Sequence, residues 1–327
     1  MKGARESRLR LRKIGLWLVA DGKDLWKNLE PYTISVSFID DTRDKTKSRL
    51  EVELADVGGK FSDDIEFLKS IWSAKVYAGV YLEGEYSFGF GTFKLKAFRG
   101  SYGKVLNLSF ISYTKDYNEL RKVRNELYEK VTLENLARML IQRAGFIPVI
   151  GKVPAVEYQK VELKNQSIED FLRQEAKKYN LKFFIKGEKV AFGEFESKEH
   201  LIEEWDSLEY ELEELKGVSK VVVEYYNGDK VIKYEHSTGK PGEVIYHVER
   251  VESEVQAKLV AERIAKKLNR RRGTVRISTY GLPVYAGEVI RLKKPEILKG
   301  KWEIERAVHR ISRNEGWRLE LELSTLA

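Results

Sequence analysis

The chain contains four histidines and no cysteine, so few of its side chains are of the types that ligate transition metals or act as strong nucleophiles. The missing cysteines exclude disulfides, Cys-ligated zinc and Cys nucleophiles. The histidines lie far apart, and none has the i, i+4 spacing that places two imidazoles on one helix face. They are His200, His236, His247 and His309. We interpret them as solvent-facing or hairpin residues.

Carboxylates and glycines also lack the spacing of known reactive sites. Asp40, Asp41 and Asp44 resemble part of a cation loop, but the glycine and the terminal glutamate of an EF-hand are absent, so a charged hairpin tip is predicted. The glycine clusters at 84–91 and 100–103 precede no helix and therefore do not predict a phosphate-binding loop. There is no Gly-Lys-Ser/Thr box, Gly-x-Ser-x-Gly elbow or His-Glu-x-x-His motif. We predict no catalytic residue, no cofactor and no metal site, and hence no enzyme.

The strongest local charge is a basic patch near residue 270. It consists of Lys266, Lys267, Arg270, Arg271 and Arg272. Such a patch could contact the backbone of a nucleic acid or an acidic neighbour. It could equally be the end of a helix, where cations stabilise the negative dipole end by up to about 1 kcal/mol. Both interpretations remain open, and we favour the second.

Composition limits the class of protein. Charged residues make up 34% of the 327 residues, and 59 bases against 51 acids give a net charge of +8. No apolar run approaches the roughly 18 residues that a membrane span needs. The basic N-terminal segment is not followed by an apolar signal region. We expect a soluble protein made in the cytoplasm, without stable membrane insertion.

The elements that would position any site begin with a β-rich region. Residues 31–55 alternate apolar and polar side chains, which predicts two antiparallel strands. A short helix is predicted at 62–72 with Ser62 as its N-cap. Three more alternating runs then indicate strands. They span 76–82, 86–97 and 105–112. Strands with one short helix are typical of a small barrel or sandwich.

The middle of the chain has a different pattern. Residues 113–130 are highly charged and are interpreted as a connector, with a helix as one option. Thr132 is positioned to cap a helix that Gly145 ends. Ser167 and Asp170 form a variant capping box for a second helix, which leads into a hairpin. This part is predicted to be a small α+β insert.

The last part of the chain returns to β structure. Residues 194–215 carry ten acids against the single Lys198, which indicates a solvated linker or a charged edge strand. Asn227-Gly228 predicts a hairpin turn between two strands. A helix at 255–270 precedes the final strands.

We expect that helix to seal a second barrel through its apolar stripe. The stripe consists of Val255, Leu259, Val260, Ile264 and Leu268. Leu259→Asp should then cost several kcal/mol, because it buries an unpaired charge.

With these elements in place, the chain resembles the late control protein D family, the baseplate hub proteins of contractile-tailed phages, which are related to the hub part of type VI secretion spike proteins. The likeness is carried by blocks that are spread along the chain and by the order in which they occur. They are Phe38-Ile-Asp-Asp with Ser48-Arg-Leu-Glu-Val-Glu-Leu-Ala-Asp, the helical segments at 132–137 and 165–190, the helix at 254–270, Gly281-Leu-Pro-Val-Tyr-Ala-Gly-Glu-Val-Ile and Gly300-Lys-Trp-Glu-Ile-Glu-Arg-Ala-Val-His.

The resemblance implies a mainly β fold with two tube-type β-barrels, each with a short helix, and a small α+β domain between them. The implied domains are 1–112 (first barrel), 113–200 (connector and insert) and 201–327 (second barrel). Three chains would form a ring that links the tail tube to the central spike. Implied partners are the spike, the tube or its initiator and baseplate wedge proteins, in a virion baseplate or tail-like particle. Nucleic acid would be transient lumen cargo.

Two other classes of function stay open at this point. One is a nucleic-acid-binding β-barrel that uses the basic patch at 266–272. The other is a hydrolase of cell-wall polymer associated with a spike.

Overall fold

The computed structural model describes residues 14–42, 48–82, 86–112, 118–213, 217–226, 230–251, 253–269 and 272–325. The chain divides into two compact units, each built from separate stretches of sequence. Unit 1 consists of Met1–Tyr113, Lys198–Tyr210 and Thr274–Ser324, and unit 2 consists of Thr114–Ser197, Glu211–Gly273 and Thr325–Ala327.

The fold is mostly β, with several sheets and a few helices, which confirms the mainly β class with an α+β part. The strands are β1 (Ile14–Ala20), β2 (Lys23–Asp24), β3 (Thr33–Asp41), β4 (Arg49–Ala55), β5 (Val76–Leu82), β6 (Tyr86–Ser101), β7 (Val105–Ser112), β8 (Val123–Thr132), β9 (Ile147–Ile150), β10 (Glu157–Ser167), β11 (Lys182–Lys186), β12 (Lys189–Gly193), β13 (Glu199–Ile202), β14 (Ser207–Glu213), β15 (Val218–Tyr226), β16 (Val231–Ser237), β17 (Glu243–Val248), β18 (Arg272–Tyr280), β19 (Val289–Leu292), β20 (Gly300–Ser312) and β21 (Gly316–Thr325). The helices are α1 (Trp26–Leu29), α2 (Ile65–Ser73), α3 (Asn118–Arg121), α4 (Leu133–Arg143), α5 (Ile168–Tyr179) and α6 (Glu254–Leu268).

A 13-stranded sheet dominates unit 1. Its order is β14-β18-β21-β20-β3-β4-β7-β6-β5-β1-β2, with β19 paired to β20 and β13 paired to β19. The predicted hairpin of β3 and β4 is present, with Val36 opposite Val52 and Phe38 opposite Leu50. All four of these side chains are buried, as the period-2 alternation of the sequence requires.

Strands from both β-rich regions of the sequence belong to this one sheet. The join is the antiparallel pairing of β20 with β3, from Arg306 opposite Asp41 to Ser312 opposite Ser35. Sequence alternation predicts each strand, but it carries no information about which distant strand becomes its neighbour. The two β-rich regions are therefore hydrogen-bonded to each other.

Phenylalanines fill much of the unit 1 core. Phe38, Phe90, Phe93 and Phe110 are almost completely buried, and Phe38 stacks on Phe90 with ring centroids 4.6 Å apart. Ser62 is not the N-cap of the short helix. The cap is Asp64, which accepts a hydrogen bond from Phe67 N at 2.9 Å.

In unit 2, the insert contains the two predicted helices with their predicted caps. Thr132 accepts a hydrogen bond from Asn135 N, and Ser167 Oγ accepts one from Asp170 N at 3.0 Å. In the described part of the connector predicted at 113–130, the helix α3 is only one turn long and the strand β8 follows it. The helical option for this connector is therefore not observed. β8 pairs with β10 antiparallel, and its alternating exposure shows the strand period beneath the high charge.

The helix α6 also belongs to unit 2, and its closing of a second barrel stays a prediction. It packs on the three-stranded sheet β16-β15-β17, with Ala257, Val260 and Ala261 fully buried. The buried face of α6 is rotated relative to the predicted stripe, because Val255 is exposed and Leu259 is half-buried against the core of the insert. Residues 211–273 consequently group with the insert, and the range 201–327 is divided between the units.

Several residues of the sequence predictions fall outside the described residues. Asn227-Gly228 is among them, although β15 and β16 pair antiparallel on either side of it as a hairpin requires. Asp44 and Gly84 are others. Among the described residues, no helix combines the length and apolarity needed to cross a membrane.

Candidate assembly surfaces

The basic patch is only partly described by the structure. Lys266 is exposed near the end of α6, Lys267 follows it in the same helix, and Arg272 begins β18. Arg270 and Arg271 lie outside the described residues. The described residues therefore do not test whether these five cations form one patch, and nucleic-acid binding through the patch stays a prediction. A gel shift at two salt concentrations tests it, because phosphate contacts weaken steeply with salt.

Two of the histidines pair with carboxylates. His200 Nε2 lies 2.8 Å from Glu288 Oε2, and His247 Nε2 lies 2.9 Å from Glu249 Oε2. His236 is half-buried on β16. Within the described ranges, no three His, Asp or Glu side chains are grouped to hold a metal ion.

His309 is neither solvent-facing nor in a hairpin turn, contrary to the expectation, because it is fully buried in unit 1. It lies on β20 among the rings of four aromatic residues at centroid distances between 5.2 and 5.9 Å. They are Phe38, Phe88, Phe90 and Trp317. A signal was present in the sequence: Ala307, His309 and Ile311 share one face of a strand, and all three are buried.

Hydrogen bonds fix the tautomer of His309. Its Nε2 lies 2.9 Å from Val284 O, and since a carbonyl only accepts, Nε2 carries the proton. Its Nδ1 then accepts from Trp317 Nε1 at 3.2 Å. Burial lowers the pKa of His309 to about 4, against a smaller opposite effect of the Val284 hydrogen bond. A neutral imidazole with both nitrogens occupied and no solvent contact has a structural role.

His309 lies beneath the loop 281–288, which crosses from β18 to β19. Ala286 N donates to Asp40 Oδ2 at 3.1 Å, and the Tyr285 hydroxyl donates to Gly89 O. Thus the loop attaches the last third of the chain to β3 and β6. Asp40 acts here as an acceptor for the loop, which explains a carboxylate at that position without any cation.

The end of the same loop is held by Glu288. Its Oε2 accepts a hydrogen bond from Tyr285 N at 3.0 Å and pairs with His200. Burial raises the pKa of Glu288, but the hydrogen bonds from His200 and Tyr285 outweigh burial and leave the pKa below its usual value. Glu288 is thus an ionised clamp between the loop and β13.

One surface depression of unit 2 is polar and open. It lies at the start of α5, with a volume of about 530 Å³. Its lining consists of Lys164, Asn165, Gln166, Asp170, Arg173, Gln174 and Lys177. Arg173 is already paired with Glu169 at 2.8 Å. This shallow surface has no apolar floor and no arrangement of nucleophile and base, so it does not resemble a substrate pocket.

Exposed apolar side chains offer better candidates for assembly. In unit 1, the exposed rings of Trp72 and Phe98 pack edge to face with centroids 5.8 Å apart. In unit 2, Val244, Tyr246 and Val248 project from one side of β17, and Tyr246 and Val248 are 76% and 79% exposed. Clustered exposed apolar groups are typical of protein–protein contacts.

Solved structures of tail proteins share this fold. The 43 kDa tail protein of prophage MuSo2 from Shewanella oneidensis superposes with a TM-score of 0.62 at 11% identity, covering 94% of this chain and 97% of that chain. The tail protein from Neisseria meningitidis MC58 gives a TM-score of 0.63 at 12% identity, covering 95% and 96%. The sequence-based resemblance to tail hub proteins is confirmed at the level of the fold.

A secretion component is similar as well. A component of the type VI secretion system of E. coli, described as structurally similar to the T4 bacteriophage tail proteins gp27 and gp5, gives a TM-score of 0.52 at 10% identity, covering 95% of this chain and 77% of that chain. No protein-family model matches the chain, and no curated protein matches it in sequence.

Proposed function

We propose that the chain is a structural hub protein of a contractile phage tail or of a phage-tail-like injection device. Three copies would form a ring that joins the tail tube to the central spike. The two β-rich parts of each chain would act as two tube-type barrels, so that six barrels make a pseudo-sixfold ring. Its location would be the baseplate, in contact with the spike, the tube and wedge proteins.

The observation that carries this proposal is the fold likeness to two tail proteins over nearly the whole length of both chains. A likeness over the full length includes the large sheet, the insert and the sheet under α6 together. The likeness to a type VI secretion component supports the same class of device.

The side-chain chemistry of the described residues agrees with a role in assembly. The fully buried His309 is held by protein groups alone, and the carboxylates of Asp40 and Glu288 hold a loop. Exposed aromatic and branched side chains lie on regular elements, where rigid positioning favours specific contacts. The proposed role of the fold is therefore to present surfaces that contact other proteins.

A mass measurement tests the ring. Light scattering on the purified chain at micromolar concentration should give three chains, and negative-stain images should show a ring with threefold symmetry. A monomer that becomes a trimer on addition of its spike partner also agrees with the proposal. A stable dimer contradicts it, because a closed twofold contact leaves no edge for a third copy.

A further inference from the structure

The three-stranded sheet β9-β12-β11 of unit 2 has one face against the core of the insert. β12 is the middle strand, parallel to β9 and antiparallel to β11, and the helices α4 and α5 pack on this sheet. Val190 and Phe192 of β12, together with Ile150 of β9 and Phe183 of β11, belong to the apolar cluster on that side. Because side chains alternate along a strand, the other positions of the three strands form the opposite face.

The strand register arranges the side chains of this opposite face in three rows across the sheet. The rows are, in order, Ile147-Lys189-Lys186, Val149-Ala191-Phe184 and Gly193-Lys182. The middle row is entirely apolar, and each flanking row contains at least one lysine. Successive rows are two residues apart along the strands, which is about 7 Å.

The charges on this face all have the same sign, because every charged side chain at these positions is a lysine. Lys186 and Lys189 are exposed, and Lys182 is half-buried. In the middle row, Val149 and Phe184 are 37% and 48% exposed. The face therefore presents an apolar strip with positive charge on both sides of it.

The outer edge of β9 is poorly suited to the addition of a strand. Ile147 N donates to Glu188 O on the β12 side, so the alternate residues Pro148 and Ile150 point away from β12. Proline has no N–H, which leaves Ile150 as the outward donor of this four-residue strand. A partner is thus expected on the face of the sheet and not at this edge.

We propose that this three-row face binds a segment of a partner protein that places an apolar side chain between two carboxylates. The apolar side chain would lie on the middle row, and the carboxylates would lie over the lysines of the flanking rows. In an extended segment, the side chains at i, i+2 and i+4 share one face and are about 7 Å apart, which matches the spacing of the rows. The inference goes beyond the proposed ring, because it assigns a surface of unit 2 and the chemistry of its partner.

The apolar middle row favours a protein segment over a nucleic acid or an anionic lipid surface. The phosphates of those two ligands form a continuous field of negative charge, and the middle row offers no cation to it. A polypeptide can alternate carboxylates with apolar side chains. Exposed apolar groups bordered by charged residues are typical of protein–protein contacts.

A short labelled peptide tests the pattern with the full chain. The probe is Ser-Glu-Thr-Leu-Thr-Glu-Ser with fluorescein at its N-terminus, and its palindromic order suits either direction of binding. Fluorescence anisotropy should show saturable binding with a Kd of about 0.1 mM, because a short flexible ligand loses conformational entropy when it binds. A peptide of the same composition in the order Glu-Glu-Thr-Ser-Thr-Leu-Ser should bind about fivefold more weakly.

An aromatic substitution tests the middle row. Phe184→Ser should weaken binding of the first peptide by about tenfold, since it removes the largest apolar side chain of the strip. Tyr246→Ser is the matched control, because Tyr246 is an exposed aromatic residue on the different sheet β16-β15-β17. It should leave the Kd within about twofold. Circular dichroism verifies that both variants are folded.

Charge reversal tests the flanking rows. Lys186→Glu combined with Lys189→Glu should weaken binding of the first peptide by about tenfold. The matched control combines Lys160→Glu with Lys164→Glu, two exposed lysines of β10, and should change the Kd by less than about twofold. The peptide Ser-Lys-Thr-Leu-Thr-Lys-Ser should bind the Lys186/Lys189 variant more tightly than it binds the wild type, which a purely structural role of these lysines does not predict.

Each outcome decides the inference. Pattern-dependent binding that is lost in the face variants and kept in the controls supports it. Equal binding of the two glutamate peptides overturns it, as does the lack of saturation up to about 1 mM. Tighter binding of oligothymidylate or of phosphatidylglycerol vesicles that depends on Phe184 also overturns it, because the face then belongs to a nucleic acid or a lipid. An oligomer that dissociates in Phe184→Ser assigns the face to a second copy and overturns it too. Failure of the peptide tests leaves the hub ring unaffected, since that proposal depends on the mass and symmetry of the assembly.

Discussion

At the scale of single residues, the chain uses its ionisable groups to hold backbone in place. His309 donates to Val284 O and accepts from Trp317, so the neutral ring satisfies both neighbours. A second proton on Nδ1 would face the indole N–H of Trp317, with two donors pointing at each other. Protonation is thus disfavoured by burial and also by the hydrogen-bond pattern.

This predicts acid sensitivity that originates in His309. Its pKa is about 4 in the folded chain and 6.5 in the unfolded chain, so between these values the unfolded state binds the extra proton. The free energy of unfolding should therefore fall as the pH falls from 6.5 towards 4, by about 2–3 kcal/mol at pH 4.5 from this group.

Urea unfolding of the wild type and of His309→Gln at neutral pH and at pH 4.5 measures the effect. The variant is less stable at neutral pH, but its loss of free energy between the two pH values should be smaller by about 2–3 kcal/mol. Parallel losses in the two proteins would show that His309 does not titrate in this window.

Gly281 is a residue whose missing side chain is required. A Cβ built there would lie 2.0 Å from Trp317 Cδ2, so the indole that holds His309 would have to move. Gly281→Ala is expected to lower the free energy of unfolding by about 1–3 kcal/mol through overpacking. Gly89→Ala is the control, because its nearest neighbour would be an ordinary 3.7 Å from the new Cβ. Equal stability of the two variants in urea would contradict this account.

At the scale of elements, capping residues and sequence periodicity predict where the helices and strands lie. They predict less well what each of these elements packs against. Thr132 and Ser167 cap α4 and α5 as their sequence contexts predict. α6 is present where the pattern places it, but its buried face includes Ala257 and Ala261 rather than Val255. Small residues allow the helix to approach β15 and β16 closely, which a search for large apolar residues overlooks.

Substitutions of two valines of α6 therefore distinguish the packing predicted from the sequence from the packing observed in the structure. Val260 is 0% exposed and Val255 is 60% exposed. Val260→Asp should cost about 3 kcal/mol or more, because it buries an unpaired charge. Val255→Asp should change stability by less than about 0.5 kcal/mol, since it lies in the first turn, where an acid is favourable. Thermal melts followed by circular dichroism measure the loss of stability in both variants. Equal shifts of the two melting temperatures would mean that α6 buries a different face. Leu259→Asp is expected between the two.

At the scale of the whole molecule, the chain builds its two units by crossing between them several times. Unit 1 contains strands from both chain ends, and unit 2 contains the insert and the sheet under α6. Each unit has its own buried apolar cluster. All six tryptophans of the chain lie in unit 1. Tryptophan fluorescence therefore reports on unit 1, while circular dichroism reports on both units.

This distribution predicts probe-dependent unfolding. Val260→Asp should lower the midpoint seen by circular dichroism while it leaves the midpoint seen by tryptophan fluorescence within about 2 °C, if each core unfolds as a unit of its own. Gly281→Ala should lower the fluorescence midpoint. Coincident shifts of both probes in both variants would show that the units unfold as one cooperative body.

The sequence by itself determined which segments are strands and helices, because alternation, capping and glycine placement act over a few residues. It also determined the mainly β class and the order of blocks on which the resemblance to tail hub proteins is based. The charged segment at 113–130 was misjudged, since high charge hid the alternation of β8. The burial of His309 is missed when the residue is judged by its polar type alone, although Ala307 and Ile311 on the same strand face indicate a buried position.

Only the tertiary structure decided which strands are neighbours. The pairing of β3 with β20 joins residues that are more than 260 positions apart, and no local signal encodes such a contact. The packing of α6 on β15 and β16, the division of 201–327 between two units and the burial of His309 under the loop 281–288 have the same cause. Each depends on long-range burial of apolar surface, and that free energy is decided by the assembled chain as a whole.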